Sequence, residues 1–503
     1  MNPIDKFLNN FTMYRVVEYG LLILAAYSFI LSLLGLLSHS PIELIVTFLT
    51  LTFVCYFGNI ILGKIFRSPI NVESSIITAL ILFFLLWPSI EPSSVLIAGA
   101  CGLLAVISKF VISYKKKHIF NPAAFAAFLL FFLGSGAVWW VGTVLMLPVV
   151  LIIGLLIVRK VRKFTLFLTF LFVALGFFLL QALIKDLSPI DQTVQFFTSF
   201  PVLFFGSIML TEPLTMPPTR RLQIIYASLC GLLFSWQGSF GPIILTTELA
   251  LLIGNVFSFI VSPKYKFYLK LSEMRKLATD TFEFSFKRPE YFVFKPGQYL
   301  EWTLPSTRTD GRGNRRYFTI ASSPTEVEIK LGIRFNEPGS TFKKQIKGLK
   351  ATDVIAAGQL VGDFTLPDDK SKKLVFIAGG IGVTPFRSMV KYLIDKNEKR
   401  DIIFFYANKS DDEIAYKDIF EEADQKLGVT IVYIISDEKN IPSSWKGEKG
   451  RITEVMLKKY VPDIAARTFY ISGPNGMVES YKKLLARLKI KPTSIVTDYF
   501  PGF

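Results

Sequence analysis

Four short segments near the C-terminal end combine residue types that could do chemistry together. Arg316-Tyr317-Phe318-Thr319-Ile320-Ala321-Ser322-Ser323-Pro324 sets a cation, two aromatics and hydroxyls on a few consecutive positions. An Arg leading into a β-strand offers a planar fork of donors that matches a diphosphate. A strand whose aromatic and hydroxyl point the same way can stack on a flavin ring and hydrogen-bond its edge; an ordinary strand edge would look the same. Val375-Phe376-Ile377-Ala378-Gly379-Gly380-Ile381-Gly382-Val383-Thr384-Pro385-Phe386 reads as an apolar strand, a glycine turn and a helix start. Such a turn lets backbone approach a ligand, and the helix N-terminal amides then face its diphosphate. Phe469-Tyr470-Ile471-Ser472-Gly473-Pro474-Asn475-Gly476-Met477 is a second strand end opening into a helix, and so a second wall for the same cleft. The last residues, Thr497-Asp498-Tyr499-Phe500-Pro501-Gly502-Phe503, are aromatic enough to cover a ring face, or simply to pack.

The elements around these segments are of two kinds. Residues 266–304 alternate polar and apolar positions, as in Thr281-Phe282-Glu283-Phe284-Ser285-Phe286, and further strands are expected near 316–321, 326–335 and 353–356. Period-two runs without a long helix predict a small antiparallel β-barrel. From Lys373 the rhythm changes to strand–helix alternation: 374–378, a helix at about 384–395, 402–406, a helix near 415–427, 430–435, 468–471 and a last helix near 476–488. That predicts a parallel sheet with helices on both faces. The change of rhythm falls at about 368–372.

In this order and spacing the four segments resemble the ferredoxin–NADP reductase family, over roughly residues 264–503. The resemblance implies FAD as cofactor, NAD(P)H as hydride donor, a FAD-binding barrel over 264–369 and an NAD(P)-binding domain over 370–503. The family's flavin signature falls on Arg316, Tyr317, Phe318 and Thr319 and continues through Ile320, Ala321 and Ser322; Phe318 stands where the family usually has Tyr. Gly339, Ser340 and Thr341 match the segment that helps hold the flavin diphosphate. Gly379, Gly380, Gly382, Thr384 and Pro385 match the pyridine-nucleotide turn. Ser472, Gly473, Pro474 and Met477 match a segment that often reads Cys-Gly-Pro, with Ser472 in place of the Cys. Phe500 matches a C-terminal pattern of bacterial members. Thr319 and Ser472 are then the candidate catalytic positions. Lys409 and Ser410 could meet a 2′-phosphate or be plain solvated loop, which leaves NADH and NADPH both open.

The first half has another character. The 503 residues are 51% hydrophobic, and apolar runs of spanning length follow one another up to about residue 263. With about 20 apolar residues needed per helix, spans are expected at 16–37, 41–63, 71–88, 93–113, 120–134, 137–158, 164–185, 194–210, 222–236 and 241–261. Lys and Arg fall in alternate loops, at Lys6 and Arg15, Lys64 and Arg67, Lys115 to Lys117, Arg159 to Lys163, Arg220 and Arg221, and Lys264 and Lys266. That pattern predicts about ten transmembrane helices over 1–263, both termini cytosolic and a plasma-membrane location. It also assigns the net charge of +17 to bilayer orientation rather than to nucleic acid. The N-terminal apolar run has no small-residue cleavage site and reads as a first anchor. Two segments depart from ordinary loops: Lys117 to Ala123, and the Pro-rich Leu210 to Thr219 with its Glu212. They fit either cytosolic turns or backbone lining a site at membrane depth. Glu18, Glu43, Glu73, Glu212 and Glu248 lie near span ends, where solvation at the interface is the expected role. Cys55, Cys101 and Cys230 lie inside apolar runs as buried small residues, with no spacing for an iron–sulfur cluster. Haem is not expected, because His39 and His118 fall on opposite sides and cannot share one iron.

His118 to Ala124 and Met209 to Thr215 ahead of Gly231 are similar to the paired membrane flavoproteins of the Rnf complex and of the sodium-pumping NADH:quinone reductase, over about residues 15–262. Those proteins carry FMN on a Thr in a motif ending Gly-Ala-Thr. Here Ser135-Gly136-Ala137 runs into Val138, which has no hydroxyl, so a second flavin would be non-covalent, near Asn121 or Thr211. The expected function is a membrane-bound oxidoreductase that passes electrons from cytosolic NAD(P)H through FAD to a flavin, a quinone or an extracytoplasmic acceptor such as a flavinylated protein. The alternatives are a redox-driven ion-translocating component and a transporter with a regulatory reductase-like domain.

Overall fold

The computed structural model describes residues 3–66, 72–114, 117–132, 135–236, 239–240, 243–263, 265–305, 310, 314–335, 339–437 and 441–500. Two compact units result, residues 7–266 and residues 267–503, the latter together with the first six residues.

The first unit is helical: α1 Met13–Leu33, α2 Pro41–Ile65, α3 Val72–Leu85, α4 Pro92–Val111, α5 Pro122–Phe132, α6 Leu147–Val161, α7 Phe164–Ile184, α8 Pro189–Ser199, α9 Arg220–Phe234 and α10 Thr247–Val261. Among the described residues, α1, α2, α4 and α7 are long and apolar enough to cross a membrane; α3, α5 and α10 are apolar but shorter. Caps set the starts. Ser40 forms a capping box with Glu43 ahead of Pro41, and Thr246 accepts from the Leu249 amide at 3.2 Å. Three expected spans differ from the structure. The segment over 137–158 is helical only from Leu147, because Trp139 is left-handed (φ 52°) and Pro148 belongs at a helix start. The one over 194–210 breaks at Phe200 and Pro201 and resumes as a short turn and a wide π-type turn over Phe205–Met209. The one over 241–261 starts only at Thr247.

The second unit holds two sheets. The first contains β1 Lys266–Ala278, β2 Thr281–Lys287, β3 Tyr299–Thr303, β4 Arg315–Thr319, β5 Glu328–Arg334 and β6 Val354–Val361, in the order β4-β3-β6-β1-β2-β5. Its β3–β4, β3–β6, β1–β2 and β2–β5 pairs are antiparallel. The two edges meet where the Ala321 amide, just past β4, donates to the Lys330 carbonyl on β5 at 2.8 Å. A short helix, α11 Thr341–Lys347, lies between β5 and β6. The second sheet contains β7 Leu374–Gly379, β8 Ile402–Asn408, β9 Thr430–Ile435, β10 Glu448–Lys449, β11 Thr468–Pro474 and β12 Ile495–Phe500, all parallel, in the order β10-β9-β8-β7-β11-β12. Its helices are α12 Thr384–Asp395, α13 Lys417–Leu427, α14 Glu454–Tyr460 and α15 Asn475–Arg487. β7 is buried on both faces, with Phe376 in one apolar cluster and Val375 and Ile377 in another, as a doubly covered parallel strand requires.

Candidate functional site

The strand register fixes the first part of the site. β4 pairs with β3 through Trp302↔Arg316, Glu301↔Tyr317, Leu300↔Phe318 and Tyr299↔Thr319. Alternation puts Arg316 and Phe318 on one face and Tyr317 and Thr319 on the other. The aromatic that shares a face with Thr319 is therefore Tyr317, which is exposed, stands edge-on to Tyr299 and donates from its hydroxyl to Gln359 Oε1 at 2.8 Å. Phe318 and Arg316 both turn to Phe342, the second residue of α11: the Phe318 ring lies 5.7 Å from it and the Arg316 guanidinium 5.3 Å over it. Arg316 also donates to the Arg315 carbonyl at 2.6 Å. Ser340 caps α11 by accepting from the Lys343 amide, and Thr341 exchanges hydrogen bonds with Asp310, each 3.0 Å. Gly339, Ser340 and Thr341 are thus brought to Arg316 through Phe342. Ile320, Ala321 and Ser322 are fully buried, and the Ser322 hydroxyl accepts from the Lys330 amide. Their burial and the bonds to Lys330 tie the end of β4 to β5.

The second part lies where the parallel sheet reverses its strand order, between β7 and β11, which is where ligands bind in open α/β sheets. Ala378 on β7 pairs with Ser472 on β11, so both strand ends open at the same level. Gly379, Gly380 and Gly382 lead into α12, which begins at Thr384 and Pro385. Gly380 is left-handed (φ +53°), and a Cβ on Gly382 would meet the Ser472 carbonyl oxygen at 2.5 Å and Gly473 Cα at 2.6 Å. A Cβ on Gly379 would collide with Met477 Sδ. The structure therefore brings Gly379, Gly380, Gly382, Thr384 and Pro385 together with Ser472, Gly473, Pro474 and Met477. Two helix N-termini, those of α12 and α15, open at this crevice, a ready site for a diphosphate. Ser472 Oγ is buried there without a hydrogen-bond partner. Phe500 pairs by its backbone with Pro474; its side chain, and residues 501–503, lie outside the described residues. Beside the crevice, the Lys409 amide donates to Glu413 Oε2 at 3.3 Å and the Ser410 hydroxyl bonds Asp412, so both belong to an acidic turn over Asp411–Glu413.

Sequence reasoning missed the contacts that join the two parts. Arg387 on α12, almost wholly buried, donates to the Ala321 carbonyl at 3.1 Å and forms a two-point pair with Glu326, Nη2 to Oε1 being 2.9 Å. Ser388 Oγ donates to the Ser322 carbonyl at 2.6 Å. Burial alone would raise the Glu326 carboxyl, but the Arg387 guanidinium and the Ser323 amide outweigh it and hold it below the usual range. No local signal announces a pair 61 positions apart. At the other end of the parallel sheet Arg467 bonds Asp401, Asp463 and the Leu374 carbonyl. Hydrogen bonds from Arg467 and then Lys373 bring Asp463 down to about 2, in a purely architectural cluster.

These features fit a dinucleotide cofactor pair: a cradle that a single Cβ would fill, a buried hydroxyl without a partner at its floor, and a guanidinium at a strand start. Comparison with known proteins agrees. Residues 376–483 match the oxidoreductase NAD-binding domain family. The glycine betaine monooxygenase reductase subunit of Pseudomonas aeruginosa is 30% identical over 207 residues, covering 41% of this chain and 56% of that protein. The propane 2-monooxygenase reductase component of Rhodococcus jostii is 29% identical over 224 residues, 43% of this chain and 58% of that one. The chain thus spans little more than half the length of the curated relatives it matches. Among solved structures, the FAD/NAD-binding domain of the Vibrio cholerae nitric oxide dioxygenase is 19% identical, covering 46% of this chain and 98% of that one, with a TM-score of 0.41. Residues 376–483 thus carry an oxidoreductase NAD-binding domain, within a C-terminal half that is similar to the reductase components of these oxygenase systems.

Proposed function

We infer that the chain is a membrane-bound NAD(P)H oxidoreductase: residues 1–263 form its membrane domain, 264–369 bind FAD and 370–503 bind NAD(P)H. The observation that carries this reading is the convergence of the Gly379–Gly382 turn and the Ser472–Pro474 segment at the strand-order reversal, joined by α12 to the strand that bears Arg316 and Thr319. Arg316 with Gly339, Ser340 and Thr341 would hold the flavin diphosphate, with Phe318 packed beside them on the same face of β4, and Thr319, on the Tyr317 face at the strand end, would meet the ring edge. The two helix N-termini and the glycine turn would take the nicotinamide dinucleotide, with Ser472 at the floor. Bound FAD supplies the hydride-accepting chemistry; the chain orients the two rings and excludes water. Electrons then leave through the membrane domain to a flavin, a quinone or an extracytoplasmic protein. The four long apolar helices support the membrane location.

A second reading, redox-driven ion translocation, is favoured by one observation. Glu18 and Glu248 are buried, and Glu212 is bonded inside the helical unit, rather than solvated at its edges as expected from sequence. Absorption spectra of detergent-purified protein, taken before and after denaturation with the flavin-to-chain ratio, test the main reading. One released FAD per chain, reducible by NADH or NADPH, supports it; colourless protein that takes up no FAD ends it. A second flavin per chain would place redox chemistry in the helical unit.

A further inference from the structure

We propose that Arg387 and Glu326 form a positioning clamp that sets the hydride-transfer geometry by locking the flavin-bearing strand to the nucleotide-binding helix; this rests on the reductase reading above. Four observations converge on it. Arg387 spends its fork on groups of the other sheet, bonding the Ala321 carbonyl and both carboxylate oxygens of Glu326. Ser388, next on α12, repeats the link to the Ser322 carbonyl. The Arg387 guanidinium lies 5.5 Å over the ring of Tyr416, a non-glycine residue held at φ 58°, and backbone held this way collects at functional sites. On β5, a Cβ at Gly332 would meet Thr384 Cγ2 and the Tyr416 hydroxyl, both at 2.8 Å, and Ile381 Cδ1 at 3.2 Å. The first helical residue of the nucleotide turn therefore rests directly on bare backbone of the first sheet.

Distance along the chain gives the clamp its leverage. Thr319 is two residues from Ala321, at most about 7 Å, and Thr384 is less than one helical turn from Arg387, about 4.5 Å. Any slip at the clamp passes almost undiminished to both reacting faces. A buried ion pair is weak evidence for stability, since its desolvation cost offsets its attraction. Its two-point geometry does fix orientation, and so does a glycine that permits backbone contact. Misplacement by about 1 Å costs a near-attack geometry about a hundredfold in rate.

The test is anaerobic stopped-flow reduction of the FAD-loaded full chain by NADH and by NADH deuterated at the transferred position. Wild type is compared with Arg387→Lys, Glu326→Gln and Gly332→Ala. The clamp predicts that Arg387→Lys and Gly332→Ala keep one FAD per chain and shift the half-saturating NADH concentration less than about threefold. Their limiting reduction rate should fall about ten- to a hundredfold, with the deuterium effect retained or enlarged. Glu326→Gln, which keeps the shape, should fall less. FAD-loaded variants that reduce at the wild-type rate, or three variants that all lose FAD or unfold, overturn the clamp. FAD-loaded wild type that neither NADH nor NADPH reduces overturns the reductase reading, and the clamp with it.

Discussion

The two units bury opposite things. In residues 7–266 large apolar side chains stand outward, Leu96 and Ile184 about three-quarters exposed, while Glu18, Asn121, Glu248 and Asn255 are buried. In residues 267–503 the apolar side chains of β7 are wholly buried, and charges pair on the surface, as in Lys426–Glu422 and Lys458–Glu454. One physical rule produces both patterns. Backbone and polar groups must find partners, and in the membrane location proposed above the surroundings are hydrocarbon, so they would find them only inside the protein. In the helical unit the polar chemistry therefore collects in the interior. Glu212 accepts from Asn121 Nδ2 and Thr215 Oγ1, each at 2.9 Å, and lies 3.3 Å from His118 Nε2. The Asn121 amide in turn donates to Asn255 Oδ1 at 2.8 Å. In the reductase unit the chemistry lies at strand ends, where backbone is open to a ligand.

The largest break in this contrast should come from Glu212→Ala. Two donors on buried residues, Asn121 Nδ2 and Thr215 Oγ1, lose their acceptor, each worth about 1–3 kcal/mol when orphaned, and His118 loses its neighbour. The thermal midpoint of the helical unit should fall sharply while FAD content and NADH reduction of the other unit stay unchanged; loss of FAD would mean that the two halves do not fold independently. Arg316→Ala should act on the reductase unit alone. Removing charge-assisted bonds worth about 1.5–3 kcal/mol weakens FAD binding about ten- to a hundredfold, measured by fluorescence on FAD titration of apo-protein. Gly382→Ala adds a methyl against Ser472 and Gly473 backbone at a cost of about 1–3 kcal/mol. It should raise the half-saturating NADH concentration without lowering FAD affinity. The smallest effect is acid sensitivity. The Glu326 carboxyl is held below its unfolded value, so its contribution is complete above the ordinary carboxylate range, about 4.3, and is lost as pH falls through it. Thermal midpoints measured from neutral pH to well below about 4.3 should drop less for Glu326→Gln than for wild type.

Local rules made much of the reductase unit legible. The apolar run 374–378, the glycine turn and the helix at 384–395 follow from composition, and the helix is observed at Thr384–Asp395. The strand expected at 316–321 is observed at Arg315–Thr319, ending where Ile320 to Ser322 turn to join the edges of the sheet. What escaped was set by distant partners. The Arg387–Glu326 pair spans 61 positions, and β12 is a strand because Ile495 to Phe500 pair with β11. Helix α11 is seven residues long, too short for its periodicity to stand out. In the helical unit hydropathy located the segments but not their breaks, although Pro148 and Pro201 carried that signal. The burial of Glu18 and Glu248 was not legible: Glu18 pairs with Arg15 on its own helix, but that Arg is also held by Glu73 on α3, and Glu248 meets Trp139 from a distant segment, contacts that only packing brings together.

On the proposed reading, this chain positions a nicotinamide dinucleotide against a bound FAD. Anaerobic titration of the purified, FAD-loaded protein with NADH and then NADPH, followed by the visible flavin absorbance, tests it most directly. Complete bleaching is expected at one equivalent of one of the two donors per flavin. A bound flavin whose spectrum neither donor changes would contradict it.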